Sequence, residues 1–255
     1  MKYLLTAAAA GVLAFSLAGQ AAAAPVGHVG AGYTWADAEN DFGDAEANAF
    51  QVEGAVAFNL GGLGAAVEGQ VGRTDVDGGG QDTATSVTAH LNNGDANARI
   101  GGFLGFQDAG LTDLWAVGGE GQFAVSPTVN LYGQAGYGWL DGIDDLDVWG
   151  VRGEVRWFAQ DNLRVDVGLG YSSVDGDVVE GESWTAGVGA EYQFAGTPWS
   201  IRGGYEYTSS DDAANFEANA LTIGARYSFG GSLRDRENAG ANLGGVDKLL
   251  NGGIF

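Results

Sequence analysis

The sequence has no cysteine, three prolines and one methionine in 255 residues. Without cysteine there is no disulfide framework, thiol chemistry or thiolate metal site. The prolines stand at positions 25, 127 and 198, two of them in expected turns, so the long stretches between them can donate every backbone N–H. Basic residues are scarce, 11 against 33 acids, and a pI near 4.1 excludes the basic footprint that nucleic-acid binding needs. Beyond residue 23 no apolar run approaches the roughly 18 residues of a membrane helix. Disorder often accompanies such acidity, but 45% apolar and 11% aromatic content is too high for it.

What is present begins with an export signal. Lys2 supplies a positive start, residues 4–17 an apolar stretch, and Ala21 to Ala24 a run of small residues. This pattern predicts a secretory signal peptide over 1–23 with cleavage after Ala23.

From there the dominant period is two. In 148–171, Trp149, Val151, Gly153, Val155 and Trp157 share one face, and Gly150, Arg152, Glu154 and Arg156 the other. After the break 159–162, Leu163, Val165, Val167, Leu169 and Tyr171 oppose Arg164, Asp166, Gly168 and Gly170. Such alternation around a short polar break is a β-hairpin. Arms of about ten residues suit a tilted crossing of a bilayer, with the apolar face to lipid and the charged face to a lumen. A soluble sandwich could alternate in the same way, so the rest of the chain decides.

Similar segments recur near 26–36, 48–59, 63–73, 83–92, 98–106, 114–125, 129–139, 183–194, 199–208 and 219–229, making twelve strands with the hairpin. Their connections alternate in length. Those at 60–62, 93–97, 126–128, 159–162 and 195–198 are tight, and Asn93-Gly94 is a direct hairpin signal. Those at 37–47, 74–82, 107–113, 140–147, 174–182 and 209–218 are long, carry most of the acids and contain no Lys or Arg. A sandwich has no reason for that rhythm. A transmembrane barrel does, with short periplasmic turns and long acidic extracellular loops. The predicted fold is therefore all-β, a single closed antiparallel barrel of about twelve strands over 24–230, followed by a polar periplasmic tail over 231–255.

Charges on the strands fall on the inward parity, except Arg73, outward at a loop-side end where it is placed to snorkel to a lipid head group. Glu53, Glu68, Arg99, Glu120, Arg152, Glu154, Arg156, Arg164, Asp166, Glu191, Arg202, Glu206 and Arg226 are the expected pore-lining residues. Hairpin register sets Glu191 opposite Arg202 and Arg156 opposite Asp166, which predicts two ion pairs. Inward glycines such as Gly136, Gly168 and Gly204 leave volume for water, whereas inward Phe103, Tyr132 and Phe158 reduce it.

The chain resembles the outer-membrane β-barrels of Gram-negative bacteria, and within them the small porin-like proteins of alphaproteobacteria. The resemblance rests on the alternating segments and on the last strand, Leu221 to Phe229, which is similar to the closing-strand signal read by the barrel-assembly machinery. Its departure from that pattern is the chain beyond Phe229. The resemblance implies an outer-membrane location, a porin-like channel for passive diffusion of small polar solutes or ions, and outer-membrane lipid and lipopolysaccharide as partners. No cofactor and no nucleic acid are implied. The acidic loops would attract divalent cations, because hard cations take oxygen ligands.

Two other classes remain open. One is a structural or lipopolysaccharide-binding barrel whose ion pairs fill the lumen. The other is a barrel lipase, which needs a base beside a serine. His28 and His90 are the only histidines and no serine is evident beside either. The stretch Asp75-Val-Asp77 before Gly78 lacks the further ligands of a calcium loop.

Overall fold

The computed structural model describes residues 24–250 apart from 42, 111, 142–145, 177–179 and 212–214. The expected leader with its cut after Ala23, and the terminal Phe255, lie outside the described residues. Twelve antiparallel strands follow one another around a closed ring. They are β1 (Val26–Asn40), β2 (Gly43–Leu60), β3 (Leu63–Val76), β4 (Gln81–Gly94), β5 (Ala98–Asp108), β6 (Asp113–Ser126), β7 (Val129–Asp141), β8 (Leu146–Gln160), β9 (Leu163–Asp175), β10 (Glu180–Gln193), β11 (Trp199–Asp211) and β12 (Phe216–Phe229). The ring closes where β12 pairs with β1, from Gly27 opposite Phe229 to Glu39 opposite Glu217.

Apart from Arg73 and the projecting strand ends, the outward parity is predominantly apolar. Ile100, Leu169 and Trp184 each leave more than half of their surface uncovered by protein, a distribution that only lipid makes favourable. The short turns also form as the sequence indicates. Gly61 and Gly62 take φ of 61° and 102° in the two-residue turn between β2 and β3, the left-handed geometry that matches strand twist. The Gly62 amide donates to Asn59 Oδ1 at 2.9 Å.

The opposite rim differs from expectation. The segments predicted as long loops are largely ladder: β1 and β2 stay paired to Asn40 opposite Gly43, with Asp37 opposite Glu46 and Glu39 opposite Asp44. The physical reason is that a strand projecting beyond the bilayer has water on both faces. Its backbone pairing continues while its apolar alternation stops.

The largest correction concerns the tail. Residues 230–250, expected in a periplasmic tail, turn back into the barrel instead, forming α1 (Leu233–Ala239) and α2 (Val246–Leu250). Leu233, Arg236, Glu237, Val246 and Leu249 are fully buried there. Ser232 caps α1, accepting from the Asp235 amide while Asp235 accepts from the Ser232 amide, and Gly240 ends it at φ 81°. Neither helix is long and apolar enough to cross a membrane, and no other described helix is.

Candidate functional site: a lumen occupied by the C-terminal tail

Twelve strands about 4.8 Å apart and tilted by about 40° close on a ring of roughly 12 Å radius. Wall side chains alone do not fill such a ring, whereas a helix about 10–12 Å across nearly does. The tail is that filler, and the wall is charged and notched to hold it.

The grip on α1 is electrostatic. The Glu237 carboxylate accepts from Arg156 Nη1 at 3.2 Å, Asn130 Nδ2 at 3.2 Å and Asn242 Nδ2 at 3.1 Å. Arg164 Nη1 stands 3.6 Å away. Arg99 donates to the carbonyls of Glu237 and Asn238, at 3.4 and 2.7 Å. On the other side of the helix, Arg236 donates to Glu191 at 2.7 Å. Glu191 also accepts from Arg226 at 2.8 Å and Ser200 at 2.6 Å, and Arg226 continues to Glu53 at 2.6 Å. Arg202 completes this chain, 3.2 Å from Glu53. These charges have left water, so only their mutual pairing keeps the arrangement from being costly.

The grip on the outer part of the tail combines hydrogen bonds, including one from Ser86 Oγ to Asp247 at 3.2 Å, with steric and apolar contact. The Gly244 amide donates to Tyr132 Oη at 3.0 Å, and Gln134 donates to the Gly244 carbonyl at 2.8 Å. The Val246 amide donates to Thr88 Oγ1 at 2.9 Å. Val246 and Leu249 join a cluster with the inward Phe103, Leu114, Ala116 and Val148. Glycines make the seat: a Cβ on Gly136 would lie 2.7 Å from Leu249 Cδ2, and one on Gly150 2.8 Å from the Leu249 carbonyl oxygen. Gly150→Ala should therefore unseat α2, since backbone cannot yield as a side-chain tip does. We expect brief channel openings to become frequent in planar bilayers, with the barrel's folded gel mobility unchanged.

The tail sits to one side. Inward residues beside α2, including Leu114, Ala116, Val148 and Gly150, are buried, whereas Thr34, Glu206, Thr208, Ala220 and Thr222 across the lumen are only half-buried. The outer half is thus less filled on that side, leaving a chamber along β11, β12 and β1. Its floor is the chain from Arg202 through Glu53 and Arg226 to Glu191. Beside the tail a polar cavity of about 40 Å³ remains, lined by His28, Glu68, Gln70, Arg152, Leu243 and Lys248 among others, room for a few waters only.

All thirteen sequence-selected charges fall on the inner parity, but most of them hold the tail or one another rather than face open water. Arg99, Arg156, Arg164 and Glu191 touch the tail directly. Arg152 and Arg156 bracket Glu154, and Asp166 pairs with Arg164 at 2.9 Å. Glu120 accepts from Tyr132 at 2.8 Å and stands 2.9 Å from His90 Nδ1. Glu68 lines the small cavity and Glu206 the open arc. The two hairpin registers are as expected, with Glu191 opposite Arg202 and Arg156 opposite Asp166. The ion pairs observed are different, since Arg202 goes to Glu53 and Arg156 to Glu154 and Glu237. The residues that sequence reasoning missed are Arg236, Glu237, Gly244, Val246 and Leu249. Their signal was the set of inward apolar positions Phe103, Leu114 and Val148, which a watery lumen does not explain. Among the described residues no group of three or more carboxylate or imidazole ligands is gathered closely enough to hold a metal.

A closed barrel with an apolar outer belt and a charged interior is an outer-membrane β-barrel, and this one carries its own occupant. The chain belongs to the outer membrane protein beta-barrel domain family, whose profile matches residues 7–229, and it resides in the outer membrane. Comparison with curated proteins gives no match. Among solved structures it is similar to an outer membrane channel from Pseudomonas putida F1, with a TM-score of 0.63 and 11% identity over 83% of this chain and 98% of that one. The translocator domain of the autotransporter NalP from Neisseria meningitidis gives 0.57 and 13%, over 86% and 93%. The KdgM porin in complex with disordered oligogalacturonate gives 0.53 and 11%, over 78% and 99%. At these identities the likeness is one of fold.

Proposed function

We propose that the protein is an outer-membrane porin-like channel for small polar solutes or ions, closed in the described conformation and opened when its C-terminal tail moves. One observation carries this reading: a lumen of channel width is filled by the C-terminal segment rather than by the wall alone. The outer chamber, lined by threonine, glycine and alanine, offers no chemistry for a bulky apolar solute. Solved structures of the same fold that are described as a channel and a porin agree with it. The same reading has lipid and lipopolysaccharide against the outward aromatics, and divalent cations held diffusely where rim carboxylates face each other, as Asp37 faces Glu46.

Planar-bilayer recording tests the proposal. The full chain should give small, infrequent steps. Selectivity should follow salt: the acidic mouth concentrates cations at low ionic strength. That preference should fade near 1 M salt, where screening reaches about 3 Å, because the floor of Arg202, Glu53, Arg226 and Glu191 is neutral in sum. A strong cation preference persisting at that salt would show that the mouth does not set selectivity. Silence from the full chain and from the tail-less barrel alike would favour a second reading, a structural barrel stiffened by its ion pairs, which the narrow cavity beside the tail supports.

A further inference from the structure

Inside the lumen the tail stands where water or a solute would otherwise meet the wall, so its charges report what that wall accepts. Among the described residues, the thirteen wall charges divide unevenly between two arcs of the ring. From β5 to β9, Arg99, Arg152, Arg156 and Arg164 outnumber Glu120, Glu154 and Asp166 by one. From β10 round through β1 to β3, Glu53, Glu68, Glu191 and Glu206 outnumber Arg202 and Arg226 by two. The tail meets each surplus with the opposite charge. Glu237 enters the basic arc between Arg156 and Arg164, with Asn130 as a neutral third donor. Arg236 goes to Glu191 of the acidic arc at 2.7 Å, and Lys248 lines the same small cavity as Glu68. The two seats of α1 adjoin, because Glu191 faces Arg164 across the β9–β10 ladder.

We propose that these adjoining seats are a binding site for small dipolar solutes, amino-acid-like or short-peptide zwitterions, and that Arg236 and Glu237 are its built-in occupant. The proposal rests on the channel reading above, since a solute reaches the seats only when α1 has left them. The carboxylate of a zwitterion takes the donors Arg156, Arg164 and Asn130, and its ammonium takes Glu191, so both charges of the departed helix are replaced. An uncharged solute would displace water from these groups without restoring the charge-assisted bonds, at a loss of affinity. A free anion fits only one seat and is repelled by the acidic mouth, and a free cation fits only the other. A solute with both charges and no net charge crosses the mouth without that repulsion.

Proteoliposomes holding the full-length Glu237→Ala protein, in which the tail loses its main charged anchor, test this at neutral pH and low ionic strength. Initial uptake is compared for glycylglycine, for the uncharged N-acetylglycinamide and for the anion N-acetylglycinate. We expect glycylglycine to enter roughly tenfold faster than either, the lower end of what a focusing field gives. Adding Glu191→Gln should bring its rate close to that of the uncharged solute, and Glu191→Asp in its place should restore most of the advantage. Equal rates for glycylglycine and N-acetylglycinamide would overturn the inference while leaving the channel reading intact. Faster uptake of N-acetylglycinate would also overturn it, by showing a seat for anions alone. An advantage that survives Glu191→Gln unchanged would overturn the assigned site. Uptake of none of the three by folded protein would overturn the channel reading and this inference with it. Heat-modifiable gel mobility shows that each variant is folded, and Glu237→Gln, which keeps the side-chain shape, replaces Glu237→Ala if that chain misfolds.

Discussion

A chain ended at Gly230 should conduct steadily and roughly tenfold or more above the full-length protein, because a segment about as wide as a helix has left a ring of roughly 12 Å radius. The barrel should survive the deletion, since closure depends on the β1–β12 ladder from Gly27 to Glu39 and the tail contributes no strand. Arg156, Arg164 and Glu191 lose their partners in the tail but keep Glu154, Asp166 and Arg226 on the wall, and water replaces the tail and solvates them. A dry cavity would have made the same loss severe. The cost falls instead on Phe103, Leu114 and Val148, which become wetted, so the melting temperature should drop modestly. Single-channel recording with the folded gel form as control decides the matter. Equal conductance with and without the tail would mean that the tail does not obstruct the path.

Glu237→Ala should have the largest effect of any single substitution in the tail. Its carboxylate is fully buried and answers Arg156 and Arg164, which would be left with one carboxylate each, Glu154 and Asp166. Removing one partner of a buried ion pair typically costs about 3–5 kcal/mol. Here that free energy would come from docking of the tail and not from the barrel. The ratio of open to closed channels should rise by roughly a hundredfold or more, at about 1.4 kcal/mol per tenfold. Asn242→Ala removes a neutral donor from the same carboxylate and should cost about 1 kcal/mol, hence roughly a fivefold change. Similar effects from the two substitutions, read as open probability under one voltage, would refute a charge-based latch.

The strands were legible because lipid imposes a strict rule on one face. Every outward residue in 148–171 must be apolar or small whatever lies inside, so the period of two survives in the sequence. Strand ends were less legible, since Asp37 and Glu39 project where neither face meets lipid. The tail was illegible for a related reason. A lumen wall carrying Arg99, Arg156 and Glu191 is polar whether water or a peptide segment lies against it. Parity can say that Arg156 points inward. It cannot say that its partner is Glu237, 81 residues away, instead of the facing Asp166. The readable exceptions were Leu114 and Val148, apolar on the wrong parity near the same rim.

Closure through β1 and β12 also orders the events of biogenesis. Gly27 meets Phe229 only when the whole barrel sequence has been delivered, and α1 begins just beyond that strand. The pocket into which Glu237 fits is assembled from β5, β7, β8 and β9, and so does not exist before those strands stand side by side. Long-range contacts of this kind form late. A newly closed barrel should therefore be at its most permeable before α1 docks, and less so once the tail is seated.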